Sequence, residues 1–176
     1  MGFNNYGKTQ NTRIENTLSF LSKHTTKRDI ILDLGIENPL SSEMIKSGYK
    51  VDNTGKGIDL DLDFEIVKGD YDIVTSFEIF EHMVSPFPLL QSIRAPKLIT
   101  SVPLKLWFTD AYWNEKDPFD RHYHEFEPKQ FDMLLDKAGW KIIDQEKWTS
   151  RINHIGIRPL LRRFTPRYYI VYCERK

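Results

Sequence analysis

The stretch YDIVTSFEIFEHM, residues 71–83, combines a short, mostly apolar run with a cluster of polar groups directly behind it. Residues 71–77 are rich in β-branched and aromatic side chains, which predicts a buried strand. Glu78, Glu81 and His82 then follow within five residues, and all three side chains can bind a metal ion or handle a proton. The spacing indicates a site at the end of a strand, with a solvated helix start as the alternative.

Strands and helices alternate along the rest of the chain. DIILDLG (29–35) is an apolar run that ends at a glycine, which predicts another buried strand. We also predict strands at 49–54, 57–62, 97–103, 140–148 and 167–175, and helices at 10–24, 38–48, 85–95 and 127–140. Only Gly55 to Gly57 separates the strands at 49–54 and 57–62, so no helix fits in that crossover.

This order of elements predicts an α/β domain whose mostly parallel sheet is covered by helices on both faces. Ligands of such sheets bind beyond the carboxyl ends of the strands. We therefore expect the segments that follow residues 35, 77 and 103 to form the binding edge.

Length and composition agree with one folded domain spanning residues 1–176. Of the 176 residues, 40% are hydrophobic and 28% are charged, and the formal net charge is zero. Bulk charge therefore gives no support for binding to nucleic acid or to a membrane. Cys173 is the single cysteine, which fits a reducing compartment, and no apolar run is long enough to span a bilayer. We expect a cytoplasmic protein.

Three motifs in this order resemble the class I S-adenosylmethionine-dependent methyltransferases. They are ILDLG (31–35), YDIVTSFEIFEHM (71–83) and HEFEPKQFDMLLDKAGW (124–140). The resemblance covers roughly residues 10–148, and TPRYYIVYCERK (165–176) is similar to the last strand of that family. It implies a Rossmann-like sheet that is mostly parallel with an antiparallel last strand, and S-adenosylmethionine as cofactor. The reduced helix between strands two and three departs from the family pattern.

The same resemblance implies a set of cofactor-binding residues. Gly35 would let the backbone approach the methionine part of the cofactor, since a side chain there would block it. The full set is Asp33 beside Gly35, Asp52 as a weaker candidate for the ribose hydroxyls, Asp59 at the adenine amino group, Leu60 against the adenine ring, and Phe77.

Three positions depart from the family pattern. Glu37 and Pro39 stand where two further glycines are usual, and Thr54 stands near the position expected for a ribose-binding acid. These departures favour an alternative function, in which the chain is a non-catalytic binding module that keeps the fold with a degenerate cofactor motif.

The E-x-x-E-H motif is similar to that of small-RNA 2′-O-methyltransferases and of ubiquinone-biosynthesis O-methyltransferases. In the first branch it joins a later histidine, in an H-x-H-x-F-E context, to bind a divalent metal. This chain has RHYHEFE (121–127), so the resemblance implies a metal site of Glu78, Glu81, His82 and His124, with His122 as the alternative fourth ligand. The carboxylates suit Mg²⁺ or Mn²⁺. Without metal, His82 or His124 is the candidate general base, and a purely structural role is the third alternative.

Residues 104–126 form a long aromatic segment that we expect to act as a lid or substrate loop. Trp107, Tyr112 and Trp113 are candidates to stack on a planar substrate, and a small satellite core is the alternative role. RPLLRRFTPR (158–167) is a basic stretch, which is either a solvated edge or a site for an anionic partner.

These observations favour a methyltransferase that acts on an oxygen of a small molecule such as a diol or catechol. A non-metal N- or O-methyltransferase remains an alternative. RNA is the less favoured acceptor, because the net charge is zero and no RNA-binding domain is added.

Overall fold

The computed structural model describes residues 8–117, 120–149 and 156–176. The elements in chain order are α1 (Lys8–His24), β1 (Ile30–Asp33), α2 (Pro39–Lys46), β2 (Lys50–Asn53), β3 (Ile73–Phe77), α3 (Pro86–Ser92), β4 (Lys97–Pro103), α4 (Pro128–Lys137), β5 (Trp140–Thr149), α5 (Ile157–Phe164) and β6 (Pro166–Arg175). Single 3₁₀ turns cover Ile66–Lys68 and Phe80–His82.

The strands form one sheet in the order β2-β1-β3-β4-β6-β5. The pairs β1–β2, β1–β3 and β3–β4 are parallel, whereas β6 is antiparallel to both β4 and β5. Among the described strands, β6 alone therefore runs against the others. This confirms the predicted mostly parallel sheet with an antiparallel last strand.

Helices cover both faces of the sheet, because its central strands are apolar on both sides. The face under α1 and α2 buries Ile14, Phe20, Leu21, Ile31, Leu40, Met44, Tyr49, Ile73, Ile99, Ile170 and Tyr172. The face under α3 and α4 buries a larger group that includes Leu32, Val74, Leu89, Leu90, Leu98, Val102, Phe131, Leu135, Trp140 and Tyr169. β3 and β4 are buried along nearly their whole lengths, as parallel strands packed on both faces usually are.

The predicted strand at 57–62 is wrong, since the structure has turns there. Gly55 and Gly57 both have positive φ, at 86° and 84°. The Asp59 carboxylate accepts the Asp61 N–H at 3.0 Å, and the Asp61 carboxylate accepts the N–H groups of Val84 and Ser85 at 2.9 and 2.8 Å. These hydrogen bonds from backbone N–H groups to aspartate side chains take the place of the backbone hydrogen bonds that a strand would make. β2 is consequently an edge strand of the described sheet, and the chain reaches β3 through one 3₁₀ turn, as the reduced connection predicted.

A further finding concerns membranes: no helix in the described ranges is both long enough and apolar enough to cross a bilayer.

Candidate functional site

The carboxyl ends of β1, β2, β3 and β4 meet at one edge of the sheet, where a buried acid marks the end of β1. Asp33 accepts a hydrogen bond from Thr75 Oγ1 at 2.7 Å and another from Asn53 Nδ2 at 3.2 Å. Burial raises the pKa of Asp33 to about 7, although both hydrogen bonds act in the opposite direction. Asp33 therefore anchors the ends of three strands and does not line an open cleft.

The loop after β1 makes a close approach at Gly35. Its φ is +98°, and a Cβ at this position would lie 3.2 Å from Ile79 Cδ1. The Gly35 N–H donates to Thr54 Oγ1 at 2.8 Å, and the buried Thr54 hydroxyl lies 3.1 Å from the Gly35 carbonyl. Thr54 thus holds this loop through a neutral side chain, where the family pattern expects an acid.

The helix that follows explains why Pro39 stands in place of a glycine. Asn38 is the N-cap of α2, and its side chain accepts the N–H groups of Leu40 and Ser41. Ser41 Oγ accepts the Asn38 N–H at 2.8 Å in return. Proline suits the first helical position because its missing N–H would have no partner there. A capped helix start thus replaces the glycine-rich turn.

A cleft of about 660 Å³ opens beside this loop, at the ends of β1 and β2. It is lined by Ile36, Glu37, Ile45, Val51, Asp52, Asn53, Gly55, Lys56 and Tyr71. Two carboxylates, those of Glu37 and Asp52, face it together with the Lys56 amine. Of the predicted cofactor residues, Asp52 therefore lines the cleft and Gly35 adjoins it.

Three other predicted cofactor residues do not line this cleft. Asp59 is exposed, and its carboxylate accepts a bond within its own turn. Leu60 packs against the core under α3 and α4, while Phe77 packs against the core on the opposite face.

Glu78, directly after β3, adopts an unusual backbone conformation. Its φ is +58°, which costs a residue with a Cβ about 1–2 kcal/mol. The Glu78 N–H donates to the Ser101 carbonyl at 3.0 Å, and Ser101 Oγ donates to Glu78 Oε1 at 2.9 Å. Arg13 Nη1 of α1 lies 4.0 Å from Glu78 Oε2. Burial raises the pKa of Glu78, while Arg13 and Ser101 oppose that rise. β4 and α1 therefore hold a strained acid at this edge.

Glu81 is the most deeply buried acid of the motif, with 1% of the residue exposed. Its Oε2 has no hydrogen-bond partner among the described residues, and its Oε1 lies 3.7 Å from His82 Nε2. Burial, followed by the negative charge of Glu78, raises the pKa of Glu81 well above its ordinary value. The Glu81 carbonyl accepts the N–H groups of Tyr123 and His124, which ties the aromatic segment to the motif.

Two histidines complete a cluster around Glu81. His82 Nδ1 donates to the Arg121 carbonyl at 3.0 Å, which leaves Nε2 as the acceptor nitrogen. The His122 ring meets the His82 ring edge-on at 4.9 Å, and His122 Nδ1 lies 3.1 Å from Glu125 Oε1. Burial lowers the pKa of His122. Glu81, His82 and His122 each offer one ligand atom, and these atoms lie within 4.8 Å of one another. We call these three residues the acid–histidine cluster.

His124 and Glu78 lie outside that group. His124 Nε2 donates to the Val84 carbonyl at 3.1 Å, and its ring stacks on Phe126. The structure therefore brings the alternative ligand, His122, to Glu81 and His82, whereas His124 is used elsewhere.

The sequence analysis missed two charged residues that support the cluster. Glu125 orients His122 and also accepts the Tyr112 N–H at 3.1 Å. Arg167 Nη1 lies 3.8 Å from Glu125 Oε2. Glu125 lies three residues after His122 and could have been found from that spacing. Arg167 comes from β6, and no local pattern indicates it.

The aromatic segment folds back on itself through an antiparallel bridge between Trp113 and Arg121. The Arg121 guanidinium lies 4.6 Å from the centre of the Trp113 ring, which is cation–π distance. Trp107, Tyr112 and Trp113 are exposed, so each has surface free to contact a substrate. Phe126 is buried, and Phe119 lies outside the described residues.

A scan against protein-family models found no match, and a search of curated proteins found none either. Solved structures do match. The 1,6-didemethyltoxoflavin-N1-methyltransferase of Burkholderia thailandensis, with its ligand and S-adenosylhomocysteine (SAH) bound, is 14% identical with a TM-score of 0.66, covering 93% of this chain and 78% of that chain. The magnesium protoporphyrin IX methyltransferase of Synechocystis PCC 6803, with bound SAH, is 13% identical with a TM-score of 0.58, covering 96% of this chain and 84% of that chain.

The chain has the fold of the S-adenosylmethionine-dependent methyltransferases. The same fold also occurs in the [4+2]-cyclase SpnF, which is 13% identical with a TM-score of 0.57 and covers 91% of this chain and 80% of that chain. At these identities the likeness establishes the Rossmann-like fold, and the reaction has to be argued from the site.

Proposed function

We propose that this protein is an S-adenosylmethionine-dependent methyltransferase that acts on an oxygen of a small molecule. The observation that carries the proposal is the arrangement of the sheet edge. An open cleft beside β2 and the partly buried acid–histidine cluster behind β3 lie next to the two strands that flank β1. The cleft is suited to hold the methyl donor, and the cluster is suited to bind and deprotonate the acceptor.

Residues of the cleft fit the cofactor in several respects. The loop after β1 contributes Ile36 and Glu37 to the cleft lining, and Gly35 lets this loop pack closely against Ile79. Asp52 offers a carboxylate that can accept hydrogen bonds from ribose hydroxyls, which is the task that Thr54 cannot perform. Glu37 adds a second negative charge, which favours the sulfonium and ammonium groups of the cofactor. The bound cofactor would supply an electrophilic methyl group.

In the acid–histidine cluster, His82 is the residue best arranged to take a proton. The Arg121 carbonyl fixes the ring with its proton on Nδ1, so the Nε2 lone pair is available toward Glu81. Glu125 orients His122 in the same way at Nδ1. A hydroxyl acceptor bound beside Nε2 of His82 would lose its proton to that nitrogen. His124, the other predicted base, donates to Val84 and is the weaker candidate.

A divalent metal is a second candidate component of this site. Oε2 of Glu81 is buried without a hydrogen-bond partner among the described residues, and a cation would satisfy it. The donor set of one carboxylate and two imidazoles suits Mn²⁺ or another transition metal better than Mg²⁺. A bound cation would polarise the acceptor oxygen and lower its pKa. Glu81, His82 and His122 would hold it.

The competing function is a non-catalytic binding module of the same fold. Thr54 and the capped helix start at Asn38 favour it, because both replace features expected to hold the cofactor. The cyclase with this fold shows that the fold alone does not imply methyl transfer. Under this alternative the cleft binds another ligand or partner and does not bind S-adenosylmethionine.

Hydrogen exchange with and without SAH tests the proposal. We expect SAH to protect the backbone of residues 35–37 and 52–56, which include most of the cleft lining, and to leave residues 166–175 unchanged. Asp52→Ala should weaken SAH binding about tenfold, the value of a charge-assisted hydrogen bond. Glu15→Ala, which removes an exposed acid of α1 that does not line the cleft, serves as the matched control. Protection of other segments by SAH, or an equal loss of SAH affinity in both variants, would contradict the proposal that the cleft holds the cofactor.

A further inference from the structure

The helix α5 leaves an apolar face without a partner among the described residues. Ile157, Leu160 and Phe164 are between 54% and 79% exposed. At about 100° per residue these positions fall within about 60° of one another around the helix. Scattered exposed apolar residues are ordinary, but three on one face of an eight-residue helix form a stripe.

Arginines surround this stripe. Arg158, Arg162 and Arg163 carry three positive charges, and the helix contains no acid. None of the three has a carboxylate within 4.0 Å in the described part of the chain. Arg158 and Arg162 share one side of the helix, and Arg163 points about 100° away from Arg162, beside the apolar stripe. The helix is therefore basic and amphipathic, as interfacial helices are.

The position of α5 relates this face to the cleft. β5 runs parallel to β4, so its carboxyl end and the start of β6 lie at the same edge as the cleft. α5 connects these two strand ends. Leu104 N donates to the Arg167 carbonyl at 2.7 Å, and Arg167 Nη1 donates to the Leu104 carbonyl at 2.5 Å. The aromatic segment and the end of α5 thus leave the sheet side by side.

Trp107 is a second exposed apolar residue near that junction. It lies three residues after Leu104 and is 73% exposed, while Phe164 lies three residues before Arg167. Tryptophan is enriched at the boundary between lipid and water because its ring is amphipathic. A surface that combines an apolar stripe, an exposed indole and unpaired arginines is complementary to anionic lipid headgroups over an acyl layer.

We propose that α5 and Trp107 dock the cleft edge of this protein onto an anionic membrane surface. The apolar stripe enters the headgroup region, and the arginines contact lipid phosphates while their aliphatic stems lie along the acyl boundary. Zero net charge does not oppose this docking, because the charge is concentrated at one helix. The inference goes beyond the proposed function, and an acceptor bound at the cluster would then be reached from the membrane interface.

Vesicle co-sedimentation tests the docking surface, with vesicles of phosphatidylcholine alone or mixed with phosphatidylglycerol. We expect binding to the anionic vesicles at low salt and little to the neutral ones. Each arginine at an anionic surface strengthens binding about fivefold, so replacing Arg158, Arg162 and Arg163 by glutamine should weaken it about 100-fold. The matched control replaces Arg28, Lys50 and Lys141, which are exposed at the opposite edge of the sheet, and should weaken it far less.

A second variant separates insertion from charge alone. The double variant Ile157→Ser, Phe164→Ser keeps the three arginines but should still bind anionic vesicles more weakly than the wild type. In the wild type, insertion of Trp107 should shift the fluorescence to shorter wavelength, and this shift should be lost in the double variant. Equal losses in the α5 and control triple variants would overturn the proposal, as would absence of binding to anionic vesicles. Self-association abolished by the α5 variants, in a protein that ignores vesicles, would identify a second copy as the occupant and also overturn it. All measurements are made without cofactor, so a failure of the proposed function leaves them interpretable.

Discussion

The buried carboxyl group of Asp33 makes the stability of this protein depend on pH in a way that Asp33→Asn should remove. Burial raises its pKa from the ordinary 3.8 to about 7 in the folded protein. Because the folded state binds the proton more tightly, this group contributes stability that is fully present below the unfolded pKa. That contribution is lost as pH rises through the folded pKa.

The size of the effect follows from the two pKa values. The gap between 3.8 and about 7, at about 1.4 kcal/mol per pH unit, corresponds to roughly 4 kcal/mol. Asparagine has nearly the same shape and carries no charge at any pH. The free energy of unfolding of Asp33→Asn, relative to the wild type, should therefore rise by up to about 4 kcal/mol between about pH 4 and about pH 8.

Urea unfolding at a series of pH values, followed by circular dichroism, measures this difference directly. Asp70→Asn, an exposed acid, is the control and should show little pH-dependent difference from the wild type. Thr75→Val removes a hydrogen bond that lowers the pKa of Asp33, so the pH dependence should move to higher pH. If the free energies of unfolding of Asp33→Asn and the wild type differ by the same amount at every pH, Asp33 does not have a raised pKa in the folded protein.

Three further outcomes are expected. Thr54→Val should lower the free energy of unfolding, measured with urea, by about 1–3 kcal/mol, because the Gly35 N–H loses its acceptor. Thr54→Ser keeps the hydroxyl and should retain most of the stability. Glu81→Gln should abolish Mn²⁺ binding measured by electron paramagnetic resonance, while His124→Ala should leave it nearly intact, and the reverse pattern would restore His124 as the ligand. Trp113→Ala should raise the KM for an acceptor with little change in SAH affinity, since Trp113 stacks on Arg121, whose carbonyl holds His82, and does not line the cleft.

Most of the fold was predictable because its signals are local. The apolar runs at 31–34 and 73–77 contain β-branched side chains and are followed by loop residues, so both strands appear as expected. GIDLDL at 57–62 has the alternation of a strand, yet its aspartates bond to backbone N–H groups of the turn and of residues 84 and 85. An alternating pattern cannot distinguish such turns from a strand, because it carries no information on which backbone N–H groups the aspartate side chains bind.

The site was predictable only in part, for a related reason. Glu81 and His82 were found because they are neighbours in sequence, at the end of a strand. The choice between His122 and His124 depends on how an irregular segment attaches to the Glu81 carbonyl, and spacing does not encode that attachment. The family resemblance placed Asp59 at the adenine amino group, but in the structure its carboxylate accepts the Asp61 N–H within the turn that replaces the predicted strand. Arg167 joins the site from β6 through folding alone.

We propose that the cleft lined by Glu37 and Asp52 holds S-adenosylmethionine. Calorimetric titration of the wild-type protein with S-adenosylmethionine and with SAH, in the presence of EDTA, measures this binding. We expect micromolar binding of both compounds with one site per chain, without any metal. Absence of binding by both compounds, from a sample shown to be folded, would rule out the proposed cofactor site and favour the non-catalytic module.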